Sequence, residues 1–262
     1  MTPILLLGGA GRMGGALIAG WKRVGAFSAD QLMIRDPAPS AEVAASGALI
    51  DPDPAAMARA QTVLLAVKPQ IWREAAAEVA PHLAADAILV SIAAGVPSAD
   101  IAGAFGGRRV ARVMPTTAAA IGQGAASIFA SDAEARARAH ALFAPVGAVV
   151  DLDDEDLMHA ATAVSGSAPA YLYAFVEALE AAGVALGLSK AAARDLARAT
   201  TAGAAALMAD SGADAAELRR QVTSPGGTTE AALTVLMGEG GLGPLLREAA
   251  KAAADRSREL GK

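Results

Sequence analysis

Four apolar residues, Ile4-Leu5-Leu6-Leu7, run into glycines, and Gly9-Ala10-Gly11-Arg12-Met13-Gly14 follows at once. Few folds accept this order. A short apolar run bounded by glycine reads as a central parallel strand covered on both faces. Residues 15–24 then carry Leu17, Ile18 and Trp21 at helical spacing. A G-x-G-x-x-G in a strand-to-helix turn is the setting in which a dinucleotide pyrophosphate is bound. Gly9 permits the tight turn, Gly11 lets the backbone approach the pyrophosphate, and Gly14 allows the helix to pack on the strand, with the pyrophosphate at the helix N-terminus.

A second strand is predicted over Leu32–Arg35. Asp36 follows, about 20 residues beyond the last glycine, where an acidic side chain holds the adenosine ribose hydroxyls. Arg35 beside it is an alternative receiver for a 2'-phosphate, and a turn before Pro37 is the structural alternative for Asp36. Three further strands, over 62–67, 87–92 and 109–114, end in Lys68-Pro69-Gln70, Ala93-Ala94-Gly95 and Pro115. In an open α/β sheet such carboxyl ends form the ligand crevice, so they are expected to line one side of the cofactor. A helix over 131–143, opened by a capping box of Ser131 and Glu134, and a strand over 147–150 complete this half.

At the acidic run 151–156 the alternation of strand and helix gives way to helix alone. The predicted domains are therefore 1–152, binding dinucleotide, and 153–262, all helical. Ser167 is expected to cap, and Pro169 to begin, a helix ending near Leu186 at the stop Gly187. Ser189 caps a long helix through Ala209, and a short one reaches Val222. The stretch Val222-Thr223-Ser224-Pro225-Gly226-Gly227-Thr228-Thr229-Glu230 follows. Its proline interrupts the helix, its glycines permit close approach, and its threonines open a new helix, aiming backbone N–H groups at a carboxylate or phosphate. An alanine-rich helical half with few large core residues needs a packing partner, so dimerisation is expected.

Composition excludes several function classes. The 262 residues include no cysteine, which removes disulfides, thiolate metal sites and cysteine nucleophiles. His82, His140 and His159 have no metal-ligand spacing, so no metal is expected. A net charge of -5 without a basic run argues against nucleic acid, and the ligand is expected to be small. No stretch reaches the roughly 18 continuous apolar residues of a membrane span. The opening run leads into glycines rather than a signal-peptide pattern, so a cytoplasmic protein is expected.

The chain resembles the pyrroline-5-carboxylate reductases, which make L-proline. The resemblance covers essentially the whole sequence: the Gly9 to Gly14 fingerprint, Ala66-Val67-Lys68-Pro69-Gln70, Arg112-Val113-Met114-Pro115, Ser165-Gly166-Ser167-Ala168-Pro169-Ala170-Tyr171, Ala181-Ala182-Gly183-Val184-Ala185-Leu186-Gly187-Leu188, and Val222 to Thr229. It implies an α/β Rossmann domain, a doubly wound and mostly parallel sheet, followed by an all-α dimerisation domain. The active site would lie between them, in a homodimer that often builds higher assemblies.

The implied cofactor is NADPH or NADH. It would be held by Gly9, Gly11, Arg12, Met13, Gly14, Arg35 and Asp36, by Asp53 near the adenosine, and by Ala66, Val67, Lys68 and Pro69. Ala93, Gly95 and Met114 would flank the nicotinamide. Backbone N–H groups of Gly226, Gly227 and Thr228, with Ser224, would hold the substrate carboxylate, and the Thr229 hydroxyl would meet the ring nitrogen. Three departures stand out. Pro115-Thr116-Thr117-Ala118 replaces a Pro-Asn-Thr-Pro, Ala168 replaces a glycine, and Asp53 falls where Asn is common. Competing functions are reduction of another cyclic imine or small 2-oxo acid, and non-catalytic dinucleotide sensing.

Overall fold

The computed structural model describes residues 3–261, which divide into two compact units. One extends to Gly166 and takes in the chain again from Ala252 onward; the other is Ser167–Lys251. The first unit is built on eight strands, β1 Ile4–Leu7, β2 Leu32–Arg35, β3 Leu49–Ile50, β4 Thr62–Leu65, β5 Ile88–Ser91, β6 Val110–Pro115, β7 Gly124–Phe129 and β8 Gly147–Asp151. They form one sheet in the order β3-β2-β1-β4-β5-β6-β7-β8. All neighbours are parallel except β6 and β7, so β7 and β8 run against the rest. The order reverses at β1, and β1 and β4 stand side by side there, which places the β1 glycines at a topological switch point.

Strand β1 is buried throughout, and its side chains alternate between two cores. Leu6 joins Leu17, Trp21, Leu64 and Phe143 on one face, while Leu5 and Leu7 join Val63, Leu65, Trp72 and Phe105 on the other. Helix α1, Arg12–Val24, lies in the first core, where the Trp21 indole N–H donates to the Leu142 carbonyl at 2.7 Å. The shorter helices α2 Ala41–Ala44 and α3 Pro54–Met57, with α4 Trp72–Val79, α5 Ser98–Ala104, α6 Ala133–Phe143 and α7 Leu157–Ala161, connect and cover the strands.

Gly20 shows how closely α1 is seated. A Cβ there would collide with the Ala119 carbonyl oxygen and come within 3.0 Å of Val146 Cγ1. Gly20→Ala would gain about 1 kcal/mol of helix propensity but pay an overpacking penalty of about 1–3 kcal/mol. The expected net is a loss of about 1 kcal/mol, read as a fall of roughly 2–4 °C in thermal midpoint.

Three sequence expectations are corrected here. Helix α6 is capped by Asp132, whose side chain accepts from the Ala135 N–H at 2.8 Å, not by Ser131; Glu134 faces Arg109 instead at 2.6 Å. Strand β4 ends at Leu65, which leaves Ala66 and Val67 in the loop beyond it. The left-handed turn after β1 belongs to Gly8, with φ 90°, rather than Gly9.

The second unit holds α8 Ala168–Ala185, α9 Lys190–Ser211, α10 Ala215–Gln221, α11 Thr228–Leu236 and the start of α12 Leu242–Leu260. Ser189 caps α9 through the Ala192 N–H, but Ser167 makes no side-chain cap on α8. Just before it, at the end of the first unit, stands a π-turn, Thr162–Gly166, in which the Thr162 and Ser165 hydroxyls donate to the carbonyls of Met158 and Ala161. Helices α8 and α9 pack through Gly183 against Ala193, yet leave Leu172, Tyr173, Phe175, Leu196 and Leu207 exposed. No helix among the described residues is long and apolar enough to cross a membrane.

The end of α12 returns to the first unit. A Cβ on Gly95 would meet the Ser257 carbonyl oxygen at 2.5 Å and the Gly261 nitrogen at 2.9 Å. His159 Nδ1 lies 2.9 Å from the buried Ser257 hydroxyl. Nearby, the buried Arg112 guanidinium donates to Glu155 at 2.8 Å, and the Ser98 N–H and hydroxyl donate to the same carboxylate at 2.6 and 2.7 Å.

Burial opposes the charge on Glu155, but Arg112 and Ser98 outweigh it and hold its carboxyl below the ordinary value of 4.5. Burial, then the Arg112 and Arg258 charges, push His159 below its ordinary 6.5. Both shifts mean that the unfolded chain binds the proton more tightly. Stability is therefore complete above the ordinary values and falls with pH, first below about 6.5 through His159 and then below about 4.5 through Glu155. Urea midpoints measured across this range should decline in that order, and His159→Asn should remove the upper part of the decline.

Candidate active site

At the β1 turn each glycine answers to a different neighbour. A Cβ on Gly8 would meet the Ala66 carbonyl oxygen at 2.9 Å, and one on Gly9 would meet Ile34 Cγ2 at 2.7 Å. One on Gly14 would collide with the Gly8 carbonyl oxygen and lie 3.0 Å from Gly9 Cα, so α1 packs directly on the loop. Gly11 differs: the nearest atom to a Cβ there is 3.8 Å away, leaving its outer side open. Gly11 is also the N-cap of α1, without a side-chain cap, and among the described residues nothing accepts from the N–H groups of Arg12 and Met13. Room beside Gly11, free N–H groups and the positive end of a helix dipole fit a dinucleotide pyrophosphate.

Asp36 braces this loop. Its carboxylate accepts from the Ala10 N–H at 2.6 Å and the Ala38 N–H at 3.0 Å, and the residue is 6% exposed. Arg35, one residue earlier, donates to Glu78 at 2.9 Å and to Asp51 at 3.0 Å. Asp51 holds a left-handed φ of 49°, which costs an L-residue roughly 1 kcal/mol. Asp53 caps α3 through the Ala56 N–H at 2.7 Å.

The strand ends are used unequally. Ala66 and Val67 touch the glycine turn, Pro69 is half-buried and Lys68 is exposed. Ala93 is buried, and its N–H donates to the Ser91 hydroxyl oxygen at 3.2 Å. Gly95 is occupied by the end of α12, as described above. Met114 is buried, with its sulfur 3.1 Å from where a Cβ on Gly166 would stand. Thr116 pairs with β7: its hydroxyl accepts from the Ala125 N–H at 2.9 Å.

In the second unit, the late loop enters α11 with Gly226 at φ 71° and Gly227 as N-cap. Two of the three N–H donors expected from sequence are already engaged. Gly226 donates to the Glu230 carboxylate at 2.8 Å and Gly227 to the Ser224 carbonyl at 3.0 Å. Among the described residues nothing accepts from the N–H groups of Thr228 and Thr229, and the Thr229 hydroxyl has no partner. Thr223 turns its hydroxyl back to the Arg219 carbonyl. The free donors therefore lie one residue further along than the glycines themselves.

Comparison with known proteins matches residues 155–260 to the family model for pyrroline-5-carboxylate reductase dimerisation, and 3–95 to that for NADP oxidoreductase, coenzyme F420-dependent. A pyrroline-5-carboxylate reductase of Pseudomonas aeruginosa is 40% identical over 99% of this chain and 97% of its own length. The chain belongs to the pyrroline-5-carboxylate reductase family. The reductase of Pisum sativum is 36% identical over 96% of this chain and 94% of its own. Among solved structures, the reductase of Coxiella burnetii matches with a TM-score of 0.90 at 32% identity, covering 100% of this chain and 99% of that one. A pyrroline carboxylate reductase of Plasmodium falciparum with NADP bound shares the fold, with a TM-score of 0.86 at 24% identity over 100% and 98% of the two chains.

Within this reductase family frame, two groups of residues escaped the sequence reading. Glu230 stands at the third position of α11 and secures Gly226; an acidic residue in a helix's first turn was the available signal. Glu78 and Asp51 secure Arg35 from 43 and 16 residues away, and no local pattern announces such partners.

Proposed function

We propose that this chain reduces 1-pyrroline-5-carboxylate to L-proline with NAD(P)H, as a homodimer. Its full-length relationship to curated pyrroline-5-carboxylate reductases carries this reading. Residues 1–152 would serve the dinucleotide, and 153–262 the substrate and the dimer contact. The exposed apolar residues of α8 and α9 suit a second copy, and sedimentation would show whether dimers assemble further. A cytoplasmic location is part of the proposal, since the reduced dinucleotide must be regenerated beside the enzyme.

The glycine loop and the N-terminus of α1 hold the pyrophosphate. Ala93, Gly95 and Met114 are assigned to the nicotinamide side as shaping groups, because Gly95 and Met114 are committed to internal packing. Bound NAD(P)H supplies a hydride from nicotinamide C4 to the C=N carbon. The N–H groups of Thr228 and Thr229 receive the substrate carboxylate, with Gly226, Gly227 and Ser224 setting the loop that presents them. Thr229 hydrogen-bonds the ring nitrogen, which keeps the proton there while the C=N electron pair becomes the nitrogen lone pair. The protonated C=N accepts hydride far more readily than the neutral one, so holding that proton is where the chain assists.

Turnover of pyrroline-5-carboxylate with NADH and with NADPH, followed by loss of reduced nicotinamide and by proline formation, tests the proposal. Proline formed with either dinucleotide is the expected result. Dinucleotide binding without turnover of this imine would redirect the search to other cyclic imines.

A further inference from the structure

Resting on the dinucleotide reading of the first unit, we propose that Glu78 and Asp51, by holding the Arg35 guanidinium, set this chain's preference toward NADH over NADPH. The end of β2 is where a doubly wound sheet meets the adenosine ribose, and an arginine there is the usual receiver of a 2'-phosphate. Arg35 occupies that place but is already engaged: Nε and Nη2 donate to Glu78 on α4, and Nη1 to Asp51 after β3. A 2'-phosphate would have to displace these carboxylates or bind beside them.

The surroundings increase the disadvantage. Asp53 and Asp51 line the same surface depression as Arg59, and Asp36 is buried next to Arg35. Asp36, Asp51, Asp53 and Glu78 thus outnumber the two guanidiniums. A ribose 2'-hydroxyl brings no charge and can donate to a carboxylate oxygen, so NADH avoids the conflict. The ion pairs are partly exposed, with side-chain exposures of 37% for Arg35, 46% for Asp51 and 54% for Glu78. Screening therefore makes them releasable, and one carboxylate removed should free Arg35.

The test is calorimetric titration of the full-length protein with NAD+ and NADP+ at low salt. The wild type should bind NAD+ about tenfold or more tightly than NADP+. Glu78→Gln should tighten NADP+ about tenfold, with NAD+ changed by less than about twofold, and Asp51→Asn should act in the same direction. Adding Arg35→Gln to Glu78→Gln should cancel the gain. Equal or tighter binding of NADP+ by the wild type, an unchanged ratio in both single variants, or a gain that survives loss of Arg35 would each overturn the proposal. Binding of neither dinucleotide would instead overturn the cofactor reading on which it rests.

Discussion

Thr229→Ala should lower kcat for pyrroline-5-carboxylate by roughly 10 to 1000-fold while leaving dinucleotide affinity within about twofold. The range is that of a positioned hydrogen-bonding group acting on the proton in the transition state. The Thr229 hydroxyl has no partner among the described residues, and it stands in the first turn of α11 beside N–H groups that also lack acceptors. Alanine is a good helix former, so α11 should survive the change. An interaction used in the transition state shows as a fall in kcat and kcat/KM together, whereas loss of uniform binding raises KM alone. Serine at the same position should restore most of the rate. If Thr229→Ala weakens NAD(P)H as much as it slows turnover, Thr229 has been assigned the wrong ligand.

Gly14→Ala should have the opposite signature, weakening both NADH and NADPH by about tenfold or more in direct titration. The added methyl meets the Gly8 carbonyl oxygen and lies 3.0 Å from Gly9 Cα, so backbone surrounds it and no flexible side chain can give way. Relief requires α1 to lift from the loop, and a shift costing about 1–3 kcal/mol carries with it the N–H groups proposed to receive the pyrophosphate. A factor of ten corresponds to about 1.4 kcal/mol, within that cost. Gly20→Ala, on the same helix but facing the Ala119 turn, should lower stability with a much smaller effect on affinity. Equal effects of the two substitutions on binding would contradict the role given to Gly14.

The parts of this molecule that sequence discloses are those set by local chemistry. Strand β1, its glycines and α1 follow from an apolar run and a spacing, and Ser189 and Gly187 mark helix ends through capping and left-handed backbone. What sequence conceals depends on distant partners. Strand β7, Gly124–Phe129, is rich in small residues and gains its identity by pairing antiparallel with β6. Ser131 and Asp132 are both able to cap, and only the position of the helix chooses Asp132. The return of α12 to Gly95 and His159 joins residues far apart in the chain, 98 positions in the case of His159 and Ser257.

The candidate site divides along the same line. The Gly-Gly-Thr-Thr turn is visible in sequence, but Glu230 taking the Gly226 N–H moves the free donors onto the threonines. Asp36 directly follows β2, and its two hydrogen bonds from the Ala10 and Ala38 N–H groups give it a bracing duty that spacing cannot show.

The proposed reaction is direct hydride transfer from the dinucleotide to the C=N carbon of pyrroline-5-carboxylate. Mass spectrometry of proline formed with NADH deuterated at both C4 positions tests it most directly. One deuterium per proline, located at C5, is the predicted result. Proline without the label, or consumption of the dinucleotide with no proline formed, would rule out direct transfer to this imine.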